Sequence, residues 1–258
     1  IYDVILVVDE LVKQYGWNDL RVLVPRWLDA ESEPSNRAYY DKLMRTIQTA
    51  GLTDNFVFHG WINDRLITEY YSLADLTLCI GSYVETFGNT PFESLGCGTP
   101  AIVSQVATYR DLLPDEHIDK VDYGDTATTA KIAHDILSSK RRTSPATMDY
   151  LQTHFSLDNM VTHYADIILN VKKKHPLPYR VPRLTKATFY QLSPWCYVSP
   201  QFGIYHDFKY EYVLVPALSE LLNAYPEGFT GTQAIEAGAT AGDIHGWVDD
   251  GFIVPMVL

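Results

Sequence analysis

The sequence predicts an α/β fold with a parallel sheet, followed by a smaller, mainly helical module. Three observations lead there. Short apolar runs alternate with amphipathic segments of helical period over the first 137 residues. The runs lack apolar–polar alternation, as strands covered on both faces require. Past residue 175 that order stops, and proline and aromatic residues take over.

The elements follow in turn. IYDVILVVDELVKQYG sets Ile1, Val4, Ile5, Val8, Leu11, Val12 and Tyr15 on one helical face, stopping at Gly16. This pattern begins at residue 1 without a cap, so we expect polypeptide before it and no signal peptide. LRVLVP (20–25) reads as a buried strand, and SNRAYYDKLMRTIQTAG as a helix capped at Ser35 and stopped by Gly51. NFVFHG (55–60) is a strand, INDRLITEYYSLA a helix with Asn63 near its start, and LTLCI (76–80) the third strand. A helix opens near Thr90, PAIVS (100–104) is the fourth strand, and a short helix lies near TYRDLL. DKVDYG holds a fifth strand, and DTATTAKIAHDIL is a helix with Asp125 as N-cap. Right-handed crossovers then give a Rossmann-like domain.

Composition narrows the classes. The 258 residues are 47% hydrophobic, enough for one large or two ordinary cores, and carry a net charge of −12. That charge disfavours general attraction to nucleic acid or anionic membrane. Cys79, Cys97 and Cys196 are far apart, without metal-binding spacing, and suit buried thiols in a reducing compartment. We therefore expect a cytoplasmic protein. No apolar run approaches the ~20 residues that span a bilayer.

The stretch ETFGNTPFE (85–93) places two glutamates around a Phe-Gly-Asn-Thr-Pro turn, between the third strand and the next helix. Ligands in open α/β sheets bind beyond the carboxyl ends of strands. Gly88 permits close backbone approach, and Pro91 suits a first helical turn. The amides around Gly88, Asn89 and Thr90 belong to a helix N-terminus, which favours phosphate. Glu93 can accept from paired sugar hydroxyls, and Glu85 from hydroxyls beyond the phosphate. A nucleotide sugar has hydroxyls on both sides of a diphosphate. Taken alone, Glu93 could equally be a residue that complements the helix dipole.

VETFGNTPFESLGCGTPAIVS (84–104) resembles the signature of family 4 retaining glycosyltransferases, in the C-terminal domain of a GT-B fold. Thr86 stands where that family has glycine, and Ser94 where alanine is common. VFHGWINDRLITEYYSLADLTLCIGS, DYGD (122–125) and THFSLDNMVTHYADII (153–168) resemble the neighbouring family segments, so the likeness spans roughly residues 1–175. The resemblance implies that Glu85 binds donor-sugar hydroxyls at the catalytic centre without serving as a nucleophile. It implies that Thr86, Phe87, Gly88 and Asn89 line the sugar and diphosphate. Thr90 would meet the distal phosphate, Glu93 the ribose, and the Gly60–Trp61–Ile62 turn the nucleobase. His59 reads as structural. The implied reaction transfers sugar from a nucleotide-diphosphate donor to an acceptor with retention, without a cofactor or metal. The acceptor-binding N-terminal domain and a basic Arg–Lys pair would lie upstream of residue 1.

From His175, HPLPYRVPRL reads as a linker, and residues 176–211 as a linker and aromatic-rich strap. Residues 212–258 read as three helices and a strand, an order that resembles a winged-helix module. Residues 201–258 hold one base, Lys209, against eight acids, a net of −7, so we expect no DNA binding. The module would be an interaction surface, open to homo-oligomer contacts. Two rival functions remain: a GT-B epimerase or phosphorylase-like enzyme, and a non-catalytic nucleotide-sugar-sensing regulator or scaffold.

Overall fold

The computed structural model describes residues 1–26, 33–111, 113–172 and 184–256. They fall into two compact units, Ile1–Tyr164 and Ala165–Leu258. The linker expected from His175 lies, through residue 183, outside the described residues.

In the first unit, α1 (Tyr2–Lys13) leads to β1 (Val22–Pro25), α2 (Pro34–Ala50), β2 (Phe56–His59) and α3 (Ile67–Leu73). β3 (Thr77–Cys79), α4 (Asn89–Gly96), β4 (Ala101–Ser104), β5 (Asp119–Val121), α5 (Thr126–Ser139) and α6 (Pro145–Phe155) follow. Helix α7 (Leu157–Asn170) runs across the boundary between the units. Local chemistry accounts for most ends. Gly51 takes a left-handed conformation after α2, and the Asp125 side chain accepts from the Thr128 amide at the start of α5. Ser35 does not cap α2. The cap is Glu33, because Pro34 with its fixed φ takes the first helical position. The helix expected over residues 62–74 is divided into a 3-10 turn, Asp64–Leu66, and α3, with the Asn63 side chain accepting from Arg65 N–H. Near TYRDLL the chain forms a 3-10 turn at Ala107–Arg110.

All ladders of this unit are parallel. β1 pairs with β2, and β4 lies between β3 and β5. The sequence suggests one sheet. Among the described residues it is divided in two, with no ladder between the β1–β2 pair and the β3–β4–β5 group. Helix α1 serves both halves. Its Ile5 and Val8 pack with Val24, Leu43, Ile47 and Phe56, while Val7 and Leu11 pack with Ile102, Val121, Ala130 and Ile136. A third cluster, Leu95, Ala101, Val103, Leu113, Ile118 and Leu151, covers the other face of β4. β4 is buried at every position, which explains its unbroken apolar run.

The second unit holds β6 (Phe189–Leu192), β7 (Cys196–Ser199), β8 (Gly203–His206) and β9 (Glu211–Val213). After them come α8 (Pro216–Ala224), β10 (Phe229–Thr230), α9 (Gly231–Glu236), α10 (Ala241–Asp249) and β11 (Ile253–Met256). Strands β7–β8–β9 form an antiparallel meander, and β6 lies between β10 and β11. The aromatic stretch read as a strap thus supplies three strands and the first residue of a fourth. Tyr190, Cys196, Ile204 and Phe229 join Leu218, Leu222, Ile244 and Trp247 in this unit's own core. Rings and β-branched residues favour a pleated surface, and strands of three or four residues are too short to show their period clearly. Capping boxes at Thr230 and Thr240 start α9 and α10.

Among the described residues no helix is long and apolar enough to cross a membrane. Ile102→Ala, at a fully buried position of β4, should cost about 2–5 kcal/mol, read as a lower urea midpoint with an unchanged slope.

Candidate functional site

The loop from Ile80 to Gly88 carries the chain from the carboxyl end of β3 to the first turn of α4. Three ties set its shape. Gly81 N–H donates to the buried Ser104 hydroxyl at 3.1 Å, which anchors the loop to the end of β4. The Thr108 hydroxyl donates to the carbonyl oxygens of Glu85 at 3.1 Å and Phe87 at 3.4 Å. The Phe87 ring stacks on Phe92, centroids 5.0 Å apart, and Phe92 meets Phe155 at 4.9 Å. Phe87 is therefore held by its ring, with its carbonyl already engaged.

Gly88 caps α4 at φ 72° and ψ 81°, without a side-chain cap bond. Its Cα faces Tyr109: a Cβ there would overlap the ring, with Cζ at 2.7 Å. The sequence leaves this space to a ligand, but the structure fills it with a phenol 21 residues away. Asn89 and Thr90 are exposed in the first turn of α4, where amides lack partners within the helix and collect the positive end of its dipole. Pro91 is buried and has no amide to leave unpaired.

The two glutamates are half-buried on either side of this turn. Glu93 is tied down: Tyr71 Oη donates to its Oε2 at 3.1 Å. Burial is the main cause that raises the Tyr71 phenol well above the ordinary range, with the Glu93 carboxylate second. Burial, with the charge of Glu85 second, pushes the Cys79 thiol up to about 12. Burial, then Cys79 and Glu85, raises the Tyr109 phenol too. Both acids thus stand among protonated neighbours, which suits hydrogen-bond acceptors.

Thr86 is exposed. In the second predicted turn, Gly60 and Trp61 are exposed and Ile62 is half-buried. His59 is structural: Nδ1 bonds the Gly60 carbonyl at 2.7 Å, and Nε2 meets the Tyr70 hydroxyl at 3.0 Å. Tyr70 and Tyr71 are neighbours on α3, one reaching His59 and the other Glu93. That helix links the turn to the loop.

Sequence reasoning missed Tyr71, Ser104, Thr108 and Tyr109. Each acts from another element, and none belongs to a local pattern. Ser94, the residue that stands where alanine is common, is fully buried. Its hydroxyl donates to Thr77 Oγ1 at 2.7 Å, and it also lies 3.0 Å from the Thr99 carbonyl. The departure from pattern is a polar clamp between β3 and α4.

Residues 36–137 match the family model described as glycosyl transferases group 1. That segment, about two fifths of the chain, is similar to group 1 glycosyltransferases. The match runs from α2 to α5 and contains both predicted turns. The 2-deoxystreptamine N-acetyl-D-glucosaminyltransferase of Streptomyces fradiae is 26% identical over 144 residues, 52% of this chain and 34% of that protein. The D-inositol 3-phosphate glycosyltransferase of Mycolicibacterium smegmatis is 25% identical over 150 residues, 56% and 34%. The chain thus spans about a third of the length of these curated relatives. Anabaena HepE, solved in complex with UDP, superposes with TM-score 0.56 at 16% identity, over 66% of this chain and 45% of that one. A Rickettsia africae glycosyltransferase gives 0.54 at 17%, also over 66% and 45%. At such identities the structures support the fold, an α/β domain of GT-B type.

Gly88→Val should unfold the loop rather than merely block it, because both the positive φ and Tyr109 oppose the side chain. A melting temperature several degrees lower is expected, with partial recovery in Gly88→Val/Tyr109→Ala. Thr99→Val removes a buried hydroxyl that donates to the Tyr71 carbonyl at 2.7 Å and lies 3.1 Å from the Ala74 carbonyl. It should cost about 1–3 kcal/mol, read by chemical denaturation.

Proposed function

We propose that this chain is the donor-binding part of a family 4-type retaining glycosyltransferase that takes a nucleotide-diphosphate sugar. The observation that carries the reading is the start of α4. Two exposed amide-bearing residues follow Gly88 at a helix N-terminus, and half-buried carboxylates flank them at Glu85 and Glu93. The helix end holds the diphosphate through Asn89 and Thr90 and stabilises it as it departs. Glu93 accepts from the ribose hydroxyls, Glu85 from the sugar, and the Gly60–Trp61–Ile62 turn meets the base. Phe87 and Thr86 form the wall beside the sugar. Transfer proceeds with retention through an oxocarbenium-like centre, with neither glutamate as nucleophile.

The acceptor side belongs to a second domain, in line with a match that spans about a third of its curated relatives' length. Helix α7 has no buried residue and exposes Leu157, Val161, Tyr164 and Ile168 at helical spacing. We read that stripe as a face for such a domain. Without it no water-poor cleft closes over the donor. These 258 residues alone are expected to show no glycosyl transfer in a radiolabelled-donor assay.

The second unit is read as a winged-helix-like appendage for protein contacts. Helix α10, in the place of a recognition helix, carries Asp243 and Asp249 without Lys or Arg. Such a surface repels a phosphate backbone within a Debye length of ~8 Å. No salt-sensitive binding to duplex DNA is expected at micromolar concentration; observing it would favour a regulator.

Calorimetry with UDP, GDP and ADP and their glucose conjugates tests the site. Glu93→Ala should weaken binding roughly tenfold or more whether or not sugar is attached. Glu85→Ala should leave free nucleoside diphosphate binding nearly intact and remove the increment due to sugar. Equal losses of free diphosphate binding in both variants would reject this division of roles.

A further inference from the structure

We propose that Tyr71 is a positioning residue of the donor site: its phenol orients the Glu93 carboxylate toward the ribose. The proposal rests on the donor-site reading above. Its geometric basis is the 3.1 Å bond from Tyr71 Oη to Glu93 Oε2.

A glutamate one turn inside a helix otherwise moves among several rotamers, and fixing it costs entropy on every binding event. The phenol removes that freedom beforehand. It occupies one lone-pair direction of Oε2, and an ionised carboxylate has about four, so acceptor capacity remains for two ribose hydroxyls. Burial and the adjacent carboxylate both keep the phenol protonated, so it stays a donor through neutral and mildly alkaline pH.

The position of Tyr71 is itself built. Helix α3 has no buried residue, so apolar packing does not fix it. Hydrogen bonds do. The fully buried Thr99 hydroxyl holds the Tyr71 carbonyl at 2.7 Å, and Arg142 Nη1 donates to the Ala74 carbonyl at 2.8 Å. Arg142 Nη2 also reaches Thr99 Oγ1 at 3.1 Å. Polar ties at this density around an exposed helix fit a need for exact side-chain placement better than a need for stability. Tyr70, the next residue, extends the same helix to His59 and the Gly60 turn.

The test is a double-mutant cycle in the full-length protein: wild type, Tyr71→Phe, Glu93→Gln and the pair. Calorimetry is run with UDP, GDP and ADP and with their 2′-deoxy counterparts. Tyr71→Phe keeps the ring and should weaken ribonucleotide binding roughly three- to tenfold. Its effect on the 2′-deoxynucleotide should be smaller, so discrimination between the two sugars falls. In the Glu93→Gln background, Tyr71→Phe should add little. A purely structural tyrosine would lower the affinity of both nucleotides equally and in both backgrounds, and that result overturns the proposal. So does a Tyr71→Phe variant that binds like wild type. If wild type binds none of the nucleotides, the donor-site reading itself fails and takes this proposal with it. A lowered melting temperature does not confound the test, because the ratio between ribose and deoxyribose affinities is taken within each variant.

Discussion

The left-handed turn at Gly88 is the constraint on which the site depends. With φ at 72° the chain reverses between β3 and α4 in a conformation that side chains resist, and the Tyr109 ring lies where a Cβ would be. That reversal fixes where α4 begins, and so which amides stay unpaired. It also sets Glu85 before the turn and Glu93 one helical turn inside it. Ser104, at the end of the next strand, and Thr108, just beyond it, hold the loop to this path. The rigid part of the site is thus backbone, and the acids are placed relative to it.

Around that turn, two kinds of force divide the work. The sheet and α1 are held by burial: Val8, Ile102, Val103 and Ala130 are fully enclosed. Helix α3 is held by hydrogen bonds from Thr99 and Arg142. Burial is non-directional and tolerates repacking, whereas hydrogen bonds fix orientation. A site that must present carboxylates at defined angles gains from the second kind next to the ligand and the first beneath it. The Ser94 clamp to Thr77 follows the same logic at the base of α4.

The two units differ in how they build a core. The first is parallel, with helices between strands, and its fully buried core is mainly aliphatic. The second uses a meander and a small antiparallel sheet around three short helices, and Tyr190, Phe229, Trp247 and Phe252 supply much of its volume. Large rings let a unit of this size bury enough apolar area. The aromatic richness of residues 189–213 therefore has a packing cause and needs no ligand.

The sequence by itself determined the features that rest on neighbouring residues. The apolar strands, the Asp125 cap, the Gly51 stop and the two glutamates around Phe-Gly-Asn-Thr-Pro were legible because period, capping and turn chemistry act over a few residues. What tertiary structure alone decided depends on residues brought together from far along the chain. Tyr71 meets Glu93 across 22 residues, and Thr108 meets Glu85 across 23. Division of the parallel sheet depends on which strand edges meet, and strand periodicity carries no information about that. The strands at 189–213 were hidden for the opposite reason: each is too short for its alternation to stand out from the turns beside it. Local patterns specify elements, whereas the partners of a phenol or a strand edge are chosen only when the whole chain has packed.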